Sequence, residues 1–158
     1  MVDLDIIINR NKNLNRGYRK LKVWIESIEL FAFVKKKIKP MKSISFKTKA
    51  QIEDSGISAP SNIAEGYSRR YIKETIQYNS IALASLSENY TQLIALVASD
   101  DIEEEWFEEY DKKHYSIENK LIKYNRSLVE RFKNSDEWRT DYQVSEIIEP
   151  YLQKEKNN

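Results

Sequence analysis

Apolar residues recur at three- and four-residue steps through four long stretches of the chain, the period of helices that bury one face. In the first stretch, Gly17 to Ile38, the positions Leu21, Trp24, Ile25, Ile28, Phe31, Ala32 and Ile38 keep that step. Val23, Leu30, Phe33 and Val34 add a second apolar stripe, more than one buried face accounts for, and are read as an oligomer interface. The Lys39-Pro40 pair stops the helix, because proline lacks a backbone donor and pushes its predecessor out of the helical region. A second helix is predicted from Ser43 or Ser45 to Gly66, with the glycine as its C-terminal stop. Pro60 within it predicts a kink or a division into two pieces. A third helix, Ser68 to Ser99, carries Ile72, Ile76, Leu83, Leu86, Tyr90, Leu93 and Val97, with small Ala82 and Ser85 beside the seam to allow close packing. The fourth opens at Asp100 and ends near Asn134, with the stripe Trp106, Tyr110, Ile117, Leu121, Tyr124, Leu128 and Phe132.

Both ends of the chain break this period. Residues 1–16 alternate asparagines with Arg10, Lys12 and Arg16, a composition too polar to pack alone, and read as a basic arm. Residues 135–158 carry Trp138, Tyr142, Ile147, Ile148, Tyr151 and Leu152, broken by Pro150, and read as a short amphipathic tail. Between them, residues 17–134 are expected to form an all-α, antiparallel up-down four-helix bundle that self-associates. Only three glycines and three prolines in 158 residues agree with long helices. No apolar run approaches the length of a membrane span, and Ile6-Ile7-Ile8 follows Asp3 and Asp5 rather than a basic start, so a cytoplasmic protein without membrane contact is expected. The absence of cysteine excludes disulfides and thiolate chemistry and is compatible with a reducing interior.

The net charge of +1 conceals an asymmetry: residues 1–50 hold 13 Lys or Arg against 4 Asp or Glu, and residues 51–158 hold 13 against 21. The basic third creates a local positive field that the total hides. Two clusters stand out as candidate nucleic-acid contacts. The first is Lys35, Lys36, Lys37 and Lys39, with Lys42, Lys47 and Lys49 beyond; the second is Arg69, Arg70 and Lys73, interleaved with Tyr67 and Tyr71. Both have plain structural readings, since lysines suit a helix C-terminus and tyrosines pack at helix ends. Seven acids between Asp100 and Glu109 suit the start of a helix for the converse reason.

Catalytic chemistry finds little support. His114 is the sole histidine, whereas a bundle that holds two metal ions takes a Glu-x-x-His pair from each of two helices. No Gly-x-Ser-x-Gly turn is present, and Gly17, Gly56 and Gly66 lie too far apart to cradle a phosphate. The expectation is a protein that is no enzyme and takes no cofactor or metal.

The remaining polar signal is a group on the second and third helices: Ser58, the run Ser61-Asn62-Ile63-Ala64-Glu65-Gly66, Arg69, Glu74, and the segment Ile81 to Glu88. Glu65 and Arg69, four apart, can pair on one helix face; Asn62 is expected to hold backbone or a neighbour at the Pro60 bend, and Glu88 to accept from the second helix. Over roughly Leu21 to Phe132 this order resembles the four-helix bundle family of proteins encoded in intervening sequences of bacterial large-subunit ribosomal RNA genes, together with the accessory variability determinants of diversity-generating retroelements. The resemblance implies a homo-oligomeric ring of five. It also implies a scaffold that binds a reverse transcriptase and its RNA, for which the two basic clusters would supply phosphate contacts. Where the family tends to place basic residues after the glutamine, this chain has Glu53 and Asp54, and Leu83-Ala84 stands where Arg-Gly is usual. The acids favour the alternative, a protein-protein interaction module that binds no nucleic acid and uses the acidic segment and the tail as partner surfaces.

Overall fold

The computed structural model describes residues 4–11, 16–69 and 71–134. Among them are five α-helices and a 3-10 turn, with no strand: α1 Leu4–Ile8, the turn Gly17–Lys20, α2 Lys22–Ile38, α3 Phe46–Ser68, α4 Ile72–Ala98 and α5 Glu104–Asn134. The long helices close a cycle in which α2 and α4 each pack on both α3 and α5. Contacts between α2 and α5 run from Phe33 against Trp106 to Glu26 paired with Lys120, and those between α3 and α4 from Ser55 on Gln92 to Arg69 on Tyr78. The C-terminus of α2, the start of α3 and the α4–α5 turn therefore share one end. In the arm, Arg19 ties the segment around α1 to the body by donating to the carbonyls of Ile8 and Arg10. The tail with Trp138 and Tyr142 lies outside the described residues.

The core face of α2 is not the expected one. Val23, Ser27, Leu30, Val34 and Ile38 are its buried residues, and Ile25, Ile28 and Phe31 are left half-buried. Val23, Leu30 and Val34 sit inside the chain's own core and Phe33 packs against it, so the stripe expected to meet a second subunit is used up within one chain. Ser27 is the reason for the misreading: its hydroxyl donates to the Val23 carbonyl at 2.6 Å, which lets a serine stand in the middle of an apolar face without an unmet polar group.

Two helix boundaries also differ from expectation. Helix α3 starts with Ser45 as its cap, its side chain accepting from Thr48 N, and runs unbroken through buried Pro60 to Ser68. Gly66 is thus interior to a helix and not its stop. Asp100 does not open α5 but closes α4: it takes a left-handed φ of 58°, its N–H donates to Val97 O, and Asp101 N donates to Leu96 O. That pair of bonds is a Schellman end, with aspartate standing where glycine is usual. No described helix is long and apolar enough to cross a membrane.

Candidate functional site

The tightest interface, α3 on α4, is lined by polar side chains that satisfy one another. Ser55 donates to Gln92 Oε1 at 2.7 Å, and Asn89, only 2% exposed, donates to Ile52 O and Ser55 Oγ and accepts from Tyr110 Oη on α5. One turn on, the hydroxyls of Ser58 and Ser85 meet at 2.8 Å, and Asn62 Nδ2 donates to both the carbonyl and the hydroxyl of Ser58. At the far end Arg69 donates to Glu65 and to Tyr78 Oη. The Tyr78 hydroxyl, followed by Arg69, holds the Glu65 carboxyl below its ordinary range, and Glu65 in turn raises Arg69.

These contacts give the Asn-Ile-Ala-Glu-Gly word a physical meaning. Ile63 is core, Asn62 and Glu65 bind along the seam, and Gly66 lets α4 begin close by. A Cβ at Gly66 would lie 2.7 Å from Tyr78 Cβ and 3.2 Å from Thr75 O, while Thr75 Oγ1 donates to the Gly66 carbonyl. The expected pairing of Glu65 with Arg69 is present. Glu88, by contrast, is exposed and accepts from Gln92 on its own helix; the residue that accepts from α3 is Gln92. Tyr78, Asn89 and Gln92 carry no signal of their own in the sequence, because each sits among other polar residues of α4, Gln77 to Ser80 and Ser87 to Thr91, and nothing marks which of them faces inward.

His114 is a packing residue. Its ring is 2% exposed, lies against Tyr90 and Tyr110, and places Nε2 2.9 Å from the Leu86 carbonyl. Burial also pushes the hydroxyls of Tyr110 and Tyr124 up, the latter to about 12. No group of three or more metal-ligating side chains occurs among the described residues.

The two basic clusters fall at opposite ends of the bundle. Helix α3, 23 residues long, separates them by ~35 Å at 1.5 Å per residue. At the far end Arg69 is engaged by Glu65 and Tyr78, Lys73 lies over the Phe132 ring, and Arg70 lies outside the described residues. At the near end Lys35 is bound to Glu53 at 2.6 Å, Lys37 lies over the Phe33 ring, and Lys36, Lys39, Lys42 and Lys47 are exposed. In their midst Phe46, the first residue of α3, is 88% exposed. It stands roughly 120° around the helix from Ile52, off the buried stripe, so periodicity gave no reason to single it out. Across the same end the α4–α5 turn and the end of α2 enclose a groove of about 480 Å³, lined by Lys37, Met41, Asp101, Ile102, Glu103, Glu105, Trp106 and Glu109. Lysine corner and acidic groove are thus side by side.

Seam, corner and groove all lie within residues 19–123, the span matched by the profile of the family described as 23S rRNA-intervening sequence protein. A comparison with curated proteins gave no match. With well over half of its length matched, the chain belongs to the 23S rRNA-intervening sequence protein family.

Proposed function

We propose, from membership of that family and from the layout of charge, that this chain is a non-enzymatic, homo-oligomeric scaffold of the reducing cytoplasm, an antiparallel up-down bundle that binds other protein surfaces. The observation that carries this reading is the adjacency of lysine corner and acidic groove at one end. Opposite charges that close cancel at a distance, so a polyanion meets little net field, whereas a protein surface with its own pattern can match both halves. Engagement of Lys35 by Glu53 and of Arg69 by Glu65 subtracts further from any phosphate-binding set. A lateral neighbour, as in the ring of five that the resemblance implies, would cover the half-buried Ile25, Ile28 and Phe31 of α2.

One observation favours a second reading, the accessory that binds reverse transcriptase and RNA. Exposed Phe46 between Lys42 and Lys47 is a platform on which a base can stack while phosphates meet ammonium groups. Fluorescence anisotropy with a labelled single-stranded RNA separates the two. The protein-binding reading expects weak association at 150 mM salt that Phe46→Ala leaves unchanged. Tight binding that falls steeply with salt and drops several-fold in Phe46→Ala would install the second reading in its place.

A further inference from the structure

We infer that two copies of this chain meet end to end, Phe46 of each seated in the acidic groove of the other. The inference rests on the protein-binding reading and names the partner: a second copy, joined through the bundle end and not through a lateral face.

The knob comes first. Phe46 is the most exposed large apolar side chain among the described residues, on the first turn of a helix whose cap is already supplied by Ser45. Neither capping nor packing within the chain requires an aromatic ring there. Taking a phenylalanine ring out of water is among the largest single-residue gains an interface can make, so an exposed one in a first turn is a large unused contact.

The groove has complementary features. Its floor is apolar: Ile102 and Trp106 are 5% and 7% exposed, and Met41 is half-buried. Its rim is acidic, with Asp101, Glu103, Glu105 and Glu109 against the single cation Lys37. The knob is framed oppositely, by Lys42 and Lys47 with Lys36 and Lys39 behind. An aromatic ring collared by lysines fits a greasy slot collared by carboxylates, and the charges pair as the ring seats.

Placement decides the symmetry. Because knob and groove occupy the same end, a two-fold axis lets each copy give one knob and receive one, leaving neither unused. The result is closed: a pair of monomers, or a pair of stacked rings where the chains also associate laterally. Other occupants suit the slot less well. The segment 135–158 carries six acids against three Lys or Arg and would be repelled by the rim, as would RNA.

The test uses the full chain, its mass measured by light scattering or sedimentation at low salt, with circular dichroism as a check of folding. The wild-type particle is expected to have twice the mass of Phe46→Asp, and Lys42→Glu/Lys47→Glu is expected to weaken the pairing at least tenfold. Adding Glu103→Lys/Glu105→Lys to that variant reverses both partners and restores the mass. Since the chain has no cysteine, Phe46→Cys/Glu103→Cys is also expected to give a disulfide-linked two-chain band on a non-reducing gel. A wild-type mass that Phe46→Asp leaves unchanged, or a folded charge-swapped chain that fails to pair, overturns the inference. Unchanged mass without RNA binding removes this inference alone. Unchanged mass together with RNA binding that Phe46→Asp abolishes removes the protein-binding reading as well.

Discussion

The α3–α4 seam and the end of the bundle are both rich in polar side chains, yet they do opposite things. In the seam every polar group described above meets a partner from the same chain: Ser55 with Gln92, Ser58 with Ser85, Asn89 with Ile52 and Tyr110, Arg69 with Glu65. At the bundle end Lys36, Lys39, Lys42 and Lys47 stand exposed beside exposed Glu103 and Glu105, with Phe46 uncovered among them. A buried hydrogen bond is retained because losing one partner strands the other, whereas an exposed charge costs little to move. The seam therefore fixes how two helices register, and the end is free to serve contacts outside the chain.

The largest effect expected from that contrast is at Asn89. Its amide satisfies the Ile52 carbonyl, the Ser55 hydroxyl and the Tyr110 hydroxyl at a site 2% exposed. Asn89→Leu keeps the volume but leaves the Tyr110 hydroxyl without its acceptor, at about 1–3 kcal/mol for a stranded group, and takes one donor from the Ser55 hydroxyl and the Ile52 carbonyl, which still meet each other and Gln92. A loss of about 2–3 kcal/mol in urea unfolding is expected, with the slope unchanged. Lys42→Glu/Lys47→Glu alters two charges at the end and is expected to leave monomer stability within about 0.5 kcal/mol. Similar losses for both variants would erase the distinction between seam and end.

A smaller effect belongs to Gly66. A methyl group there meets Tyr78 Cβ at 2.7 Å and the Thr75 backbone, and rigid helix starts cannot step aside as a flexible side chain would. Gly66→Ala gains up to ~1 kcal/mol in helix propensity but overpacks the α3–α4 junction at a cost of about 1–3 kcal/mol. Net destabilisation of about 1–2 kcal/mol in thermal or urea melts is the expected outcome. A more stable variant would show that the junction yields, and that the glycine serves something other than close approach.

Much of this contrast could be read along the chain, and its failures have physical causes. The four long helices follow from apolar period, Ser45 is one of the two starts the sequence predicts, and Glu65 with Arg69 pair as their spacing implies. Apolar period points to the wrong face of α2 because Ser27 hides its hydroxyl on the Val23 carbonyl, a bond that composition does not announce. Pro60 is expected to kink or divide its helix, and no division occurs, since packing on α2 and α4 holds the segment together where one backbone bond is missing. Asp100 looks like a helix opener by type and acts as a closer by conformation. Phe46 left no trace because a residue that serves outside contacts has no reason to keep step with the core.

The smallest effect concerns acid. The Tyr78 hydroxyl and Arg69 favour the Glu65 carboxylate in the fold, so its pKa lies below the 4.5 of the free side chain. Between the two values the unfolded chain binds the proton and the folded chain does not; stability from this group is present above about pH 4.5 and lost as pH falls through the depressed value. Glu65→Gln removes that dependence while the Arg69 to Tyr78 bond can persist. The difference between wild-type and variant unfolding curves is therefore expected to be constant from neutral pH down to about 5 and to shrink below it. Because both side chains are partly open to water, added salt should reduce the difference across the whole range. A difference that persists undiminished at pH 3 would mean that the carboxyl acts through its shape and hydrogen bonds, not its charge, and would place this outer end of the seam with the buried amide of Asn89 rather than with the open lysines.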